Sequence, residues 1–198
     1  MPFPRCPDRR TLGGVTIDYL TQDELRRLLS VIRSKRDKAI FYLSYKYGLR
    51  SAEVGLLRRD HLDFARRRIF IHRVKGSLSQ EYPLWPDVGK LLKSYLRTRN
   101  DDDPILFLSR QGDPISPRTL RWQMAKYGER AGLPKRKSHF HVLKHSIGMH
   151  MIEAGAHLEQ VRDWLGHKNI QNTMIYARLV GKARDELARQ VFASPKIV

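Results

Sequence analysis

Arg68-Ile69-Phe70-Ile71-His72-Arg73-Val74-Lys75-Gly76-Ser77 is the stretch that decides the fold class. From Arg68 to Arg73 the aliphatic residues Ile69 and Ile71 stand two apart, with Arg68, Phe70 and His72 on the alternate positions, the period of a half-buried strand. Gly76-Ser77 reads as a turn, and 80–84 as the returning strand, with Pro83 placing it near a sheet edge. A short apolar segment at 105–108 is expected to supply a third strand. Outside this region the period is helical. The expected class is therefore α+β: mainly helical, with one small three-stranded antiparallel sheet.

Upstream, Thr21 and Glu24 have the spacing of a capping box and predict a helix over 22–34, with Leu25, Leu28, Leu29 and Ile32 on one face. A second helix over 36–47 is rich in Ile40, Phe41, Leu43 and Tyr47, and Gly48 is its left-handed stop. Ser51 caps a short helix through residue 57. Downstream, helices are expected over 86–99, 117–130, 141–154, 157–165, 170–179 and 181–192, with Gly155, Gly166 and Gly181 between the last four. Residues 1–20 carry Pro2, Pro4, Pro7, Gly13, Gly14 and several Arg, and read as an extended basic arm. The expected organisation is an arm at 1–20, a main domain at 21–180 and a C-terminal helix and tail at 181–198.

The 198 residues include 38 Lys and Arg against 20 Asp and Glu, a formal charge of +18. Such a surface attracts polyanions, nucleic acid first among them. The charge is concentrated: 58–75 nets +5, and 131–150 holds Lys135, Arg136, Lys137 and Lys144 with four His and no acid. No apolar run approaches the ~18–20 residues needed to span a bilayer. The single Cys6 excludes an intrachain disulfide and a Cys-rich zinc site. The N-terminus lacks the apolar segment of a secretory signal. The expected setting is the reducing cytoplasm.

Three further segments carry chemistry: Tyr47-Gly48-Leu49-Arg50-Ser51-Ala52-Glu53-Val54, His141-Val142-Leu143-Lys144-His145-Ser146 and Leu165-Gly166-His167-Lys168-Asn169, with Tyr176 nine residues after His167. Taken singly, Arg50 reads as a surface Arg, Tyr176 as a core aromatic and Lys75 as a solvated turn residue. In this order and spacing the set resembles the tyrosine recombinase (phage integrase) family over about residues 20–180. The size of the chain, Ile71-His72-Arg73-Val74-Lys75 and Phe107-Leu108-Ser109-Arg110-Gln111-Gly112 resemble the small stand-alone recombinases that invert fimbrial promoter segments. That likeness implies a recombinase reduced to its catalytic domain; a catalytic domain excised from a longer integrase is the alternative with the same motifs.

The resemblance implies a catalytic set of Arg50, Lys75, His141, Lys144, His167 and Tyr176. The residue types fit the reaction. Tyr176 supplies a phenolate nucleophile. Arg50 offers a planar fork for phosphate oxygens, and His141 and His167 donate hydrogen bonds or move protons. Lys75 protonates the leaving 5′ oxygen, with Lys168 and Arg73 as the alternatives for that role, and Glu53 orients Arg50 or a neighbour. The family's H-x-x-R box reads H-x-x-K here, so Lys144 presents a point cation where a guanidinium is the rule. His141 and His145 have the i, i+4 spacing of metal ligands, but the Glu of an H-E-x-x-H site is absent. No metal or other cofactor is expected.

Arg73, Arg118, Arg121, Lys135, Arg136 and Lys137 are expected to contact DNA. The expected partner is double-stranded DNA, with a homotetramer forming on two sites from protomers that are monomeric in solution. The alternatives are a non-catalytic DNA-binding regulator on the same fold and a type IB topoisomerase-like relaxing enzyme.

Overall fold

The structure, a computed structural model, describes residues 9–12, 15–74, 76–179 and 192. Strands β1 (Arg9–Leu12) and β2 (Val15–Asp18) pair antiparallel, Arg9 opposite Asp18. The stretch read as an extended arm is thus, in its described part, a hairpin. It is fastened to the body: Ile17, Tyr19 and Leu20 are buried, and the Leu20 N–H donates to Ser146 Oγ at 2.8 Å.

The capping box forms as read. Glu24 N–H donates to Thr21 Oγ1 at 3.2 Å and Thr21 N–H to Glu24 Oε2 at 2.8 Å, opening α1 (Gln22–Val31). The helix stops short of 34 because Ser34 is already the cap of the next one, its Oγ accepting from Asp37 N–H at 3.2 Å. That helix, α2 (Lys35–Lys46), is the core element and packs against helices on two sides. Phe41 meets Tyr127 and Phe140 edge-on, each at 5.5 Å between ring centres. Each such pair adds about 0.5–1.5 kcal/mol to its burial.

Gly48 then turns the chain with φ +59°, and a Cβ there would lie 2.5 Å from Leu165 Cδ2. The turn delivers α3 (Ser51–Val54). The three-stranded sheet follows, as β3 (Leu62–Asp63), β4 (Arg68–Ile71) and β5 (Gln80–Pro83), in the order β3-β4-β5, all antiparallel. Ile69 and Ile71 point inward and Phe70 outward, as the period of two requires. The third strand is therefore Leu62–Asp63 and not 105–108. Leu106 and Phe107 are both fully buried, leaving no exposed face to alternate with. Their backbone is held by Leu57 and Ile115 instead, with only isolated bridges at Arg58–Ile105 and Leu108–Pro114.

Helices α4 (Pro86–Leu96), α5 (Pro117–Arg130), α6 (Val142–Glu153), α7 (Leu158–Trp164) and α8 (Gln171–Leu179) complete the described fold. Helix α6 packs against α2, α7 and α8. No described helix is long and apolar enough to cross a membrane. The helix expected over 181–192 lies outside the described residues except for Phe192, which is helical and exposed.

Candidate active site

The site is organised around Glu53, whose carboxylate is fully buried. Arg50 caps α3, and the short helix brings residues 50 and 53 face to face. Arg50 N–H donates to Glu53 Oε2 at 2.8 Å, and Arg50 Nη1 to Glu53 Oε1 at 2.7 Å. Nη1 also donates to Ser77 Oγ at 2.9 Å. The Arg50 side chain stays partly exposed. Burial alone would raise the Glu53 carboxyl; the charges of Arg73 and Lys144 and the bonds from Arg50 outweigh it and hold it below the usual range.

Lys144 lies in the first turn of α6, buried, with Nζ donating to the Leu165 carbonyl at 2.8 Å. Burial, then the like charges of Arg73 and Arg50, push its ammonium down to about 6, with Glu53 opposing. His141, at the N-cap of α6, is open to solvent yet closely surrounded by protein. Crowding first, and then Lys144 and Arg50, lower it to about 4. Gly166, at φ +65°, turns the chain into His167, which is buried with Nδ1 3.0 Å from Thr173 Oγ1. Burial and the cations Lys144, Arg50 and Arg73 push His167 down to about 3.

Tyr176, on α8, has its hydroxyl 3.2 Å from His145 Nδ1. Its ring rests on α6 at Gly148, where a Cβ would come 2.7 Å from Tyr176 Cζ. Only 1% of Tyr176 is exposed, so the hydroxyl is closed to a large ligand in this state. Burial raises the phenol above its ordinary value, and the Arg50 charge pulls it the other way. Burial, followed by His141 and His139, lowers His145 to about 3. The rings of His141 and His145 meet edge-on at 4.6 Å. Among the described residues no group of three potential ligands is placed to hold a metal ion.

The structure therefore brings Arg50, His141, Lys144, His167 and Tyr176 together. Lys75 lies outside the described residues. Its neighbours border the site: Val74 N–H reaches Glu53 Oε1 at 3.4 Å, Ser77 takes the bond from Arg50, and Leu78 N–H donates to the Gly166 carbonyl at 3.1 Å.

Two expected DNA contacts are corrected. Arg73 is fully buried, its guanidinium bonded to Glu53, Tyr82 and the carbonyls of Tyr47, Gly48 and Trp164. Lys137 is buried against Glu24, with Nζ 2.9 and 2.8 Å from its two oxygens. A buried cation holding a buried carboxylate is not available to phosphate. Arg118, Arg121 and Lys135 are exposed, and Arg136 is exposed with Nε 3.0 Å from Asp18. Exposed Trp122 and Lys126 share the outer face of α5 with Arg118 and Arg121.

Sequence reasoning missed Ser77, Thr173 and Gly148. Only Gly148 carried a signal: a glycine inside a helix costs about 1 kcal/mol, so a close approach is the natural reason for it.

Arranged in this way, the cluster suits one anion. Arg50 supplies charge, Lys144 supplies an amine that an anion would charge, two histidines supply N–H groups, and a tyrosine stands behind them. The chain is 36% identical to tyrosine recombinase XerA of Thermococcus onnurineus over 81% of its length, and spans 57% of that relative. It is 30% identical to the type 1 fimbriae regulatory protein FimB of Escherichia coli over 80% of its length and 83% of that protein. The crystal structure of XerA recombinase superposes with a TM-score of 0.76 at 27% identity, covering 88% of this chain and 65% of that one. The phage integrase family pattern matches residues 18–182, and the chain belongs to that family.

Proposed function

We propose that this chain is a site-specific DNA recombinase that cuts and rejoins strands through a 3′-phosphotyrosyl intermediate. The observation that carries the reading is the convergence of Arg50, His141, Lys144, His167 and Tyr176, from four separate segments, on one carboxylate-organised cluster. Tyr176 Oη attacks the scissile phosphorus and passes its proton to neutral His145, whose Nδ1 lies 3.2 Å away. The bond from phosphorus to the 5′ oxygen breaks, and that oxygen takes up a proton, for which Lys75 is the donor the family resemblance supplies. The phosphotyrosyl bond replaces the phosphodiester bond, and a partner strand's 5′ hydroxyl reverses the step without nucleotide hydrolysis. Arg50 stabilises charge on the non-bridging oxygens in the transition state. His141 and His167 are held neutral at pH 7 and donate N–H groups to the same oxygens.

Among the described residues the cluster holds several cations or potential cations around one carboxylate, Glu53. A phosphodiester anion is the opposite charge it lacks, and its arrival favours protonation of Lys144. The phenol is buried in the DNA-free state, so DNA must also expose it. Duplex DNA is the partner the +18 charge fits. Arg118, Arg121, Lys135 and Arg136 are the described cations offered to its backbone, and four protomers act on two sites.

Trapping on a nicked duplex that loses its 5′-hydroxyl fragment tests the reading. The wild type is expected to form a covalent adduct, and Tyr176→Phe none. Tight DNA binding by the wild type without any adduct makes the chain a DNA-binding regulator instead.

A further inference from the structure

Arg73 leaves the end of β4 with its side chain wholly inside the protein. Nη2 donates to the Tyr47 carbonyl at 2.7 Å, to Tyr82 Oη at 3.0 Å and to the Trp164 carbonyl at 3.2 Å. Nη1 donates to the Gly48 carbonyl and to Glu53 Oε2, each at 3.0 Å. Nε has no partner among the described residues and lies under Gly166, where a Cβ would come within 3.2 Å of it. The acceptors belong to the turn that delivers Arg50, to the turn that delivers His167 and to the returning strand of the hairpin. Trp164 also precedes Leu165, whose carbonyl receives Lys144.

The bonding of Glu53 is equally full. Oε2 accepts from Arg50 N–H and Arg73 Nη1; Oε1 accepts from Arg50 Nη1 and Val74 N–H. A carboxylate has about four lone-pair sites. With Arg73 in place none is left for Lys144, which must settle for a carbonyl.

Resting on the recombinase reading above, we infer that Arg73 is the positioning residue of this site: it locks the Arg50 and His167 turns in one register and keeps Glu53 from pairing with Lys144. Mere filling of the space would not call for a guanidinium, since well-packed apolar residues replace buried ion pairs at little cost or with a gain. A misplacement of about 1 Å costs roughly 10²-fold in rate. The charge of Arg73 has a second effect. Lys144 is faced by Arg73 from the hairpin, Arg50 and Glu53 from the α3 segment, His141 and His145 from α6, and His167 from the turn after α7. Of these, Arg73 is the largest charge acting against its protonation.

The test compares the wild-type chain, Arg73→Met and Arg73→Lys. Three quantities are read: duplex affinity and its salt slope, single-turnover cleavage of the nicked duplex, and the titration of Lys144 by side-chain NMR without DNA. Arg73→Met is expected to bind DNA with an unchanged salt slope, to cleave about 10²-fold more slowly, and to hold the Lys144 proton to higher pH. Arg73→Lys keeps the charge, so Lys144 titrates as in wild type, while cleavage recovers only in part because an ammonium cannot reach five acceptors. Should Arg73→Met not fold, Arg73→Lys decides alone. The inference is overturned by wild-type cleavage in either variant, by an unmoved Lys144 titration in Arg73→Met, or by a salt slope reduced by about one in that variant, the mark of a lost phosphate contact. If the wild type forms no adduct, the recombinase reading fails, and the DNA-free titration still reports on Arg73.

Discussion

Replacing Glu53 by Gln removes a charge and one acceptor from the centre of the site while keeping its volume. Each Glu53 oxygen receives two donors. Whichever way the amide is turned, its NH2 faces one of these donor pairs, so two hydrogen bonds become donor–donor contacts. Arg73 is left buried without a counter-charge. Removing one partner of a buried ion pair costs about 3–5 kcal/mol, and in a chain of this size each kcal/mol lowers Tm by about 2–4 °C. The expected fall in Tm near neutral pH is therefore about 6–20 °C.

The pH dependence fixes the sign. The Glu53 carboxyl is held below its ordinary value in the fold. Its contribution is present above the unfolded value of about 4.3 and is lost as pH falls through the folded value. Thermal unfolding followed by circular dichroism should show a constant gap between wild type and Glu53→Gln from pH 7 to about 5, closing in stronger acid. A variant melting within about 2 °C of wild type, or a gap that widens in acid, refutes the claim that this carboxylate organises the site.

Three other outcomes are expected. His141, His145 and His167 titrate at about 4, 3 and 3 in the fold and near 6.5 when unfolded, so the unfolded chain binds more protons in between; wild-type Tm should fall more steeply as pH drops below about 6.5, beyond the loss that lowering the Lys144 ammonium to about 6 causes at higher pH, and a Tm flat between pH 6.5 and 5 counts against these lowered values. Lys144→Ala should slow single-turnover cleavage by about 10²–10³-fold if Lys144 meets the scissile phosphate, and an unchanged rate removes it from the clamp. Arg118→Ala or Arg121→Ala should each lower the slope of log affinity against log salt by about one; Lys137→Ala should leave the slope alone and lower Tm by stranding Glu24, and a Lys137 variant with a reduced slope contradicts its interior placement.

Much of this architecture was legible where local chemistry fixes both ends of an element. Ser116-Pro117 and Gly132 bracket α5, and the expected 117–130 is the observed span. Helix α1 ends three residues early because no glycine separates it from α2; Ser34 does that work as a cap, which period alone does not reveal. The third strand was misplaced because a two-residue strand has no period, and its pairing with β4 is a tertiary contact.

That Arg50, His141, Lys144, His167 and Tyr176 lie together was readable from the order and spacing of their motifs. The interior roles of Arg73 and Lys137 were not, because the carboxylates that neutralise them lie 20 and 113 positions away. A cation in a basic stretch looks like a phosphate contact until its partner is found. The same holds for Ser77, whose bond to Arg50 crosses 27 positions.

The central claim is that Tyr176 is the nucleophile for DNA. The most direct measurement is proteolysis of the wild-type adduct on a nicked duplex, followed by mass spectrometry of the DNA-linked peptide. The account predicts a 3′-phosphate linked to Tyr176, with a free 5′ hydroxyl on the released strand. Attachment to another residue, or linkage through a 5′-phosphate, contradicts it.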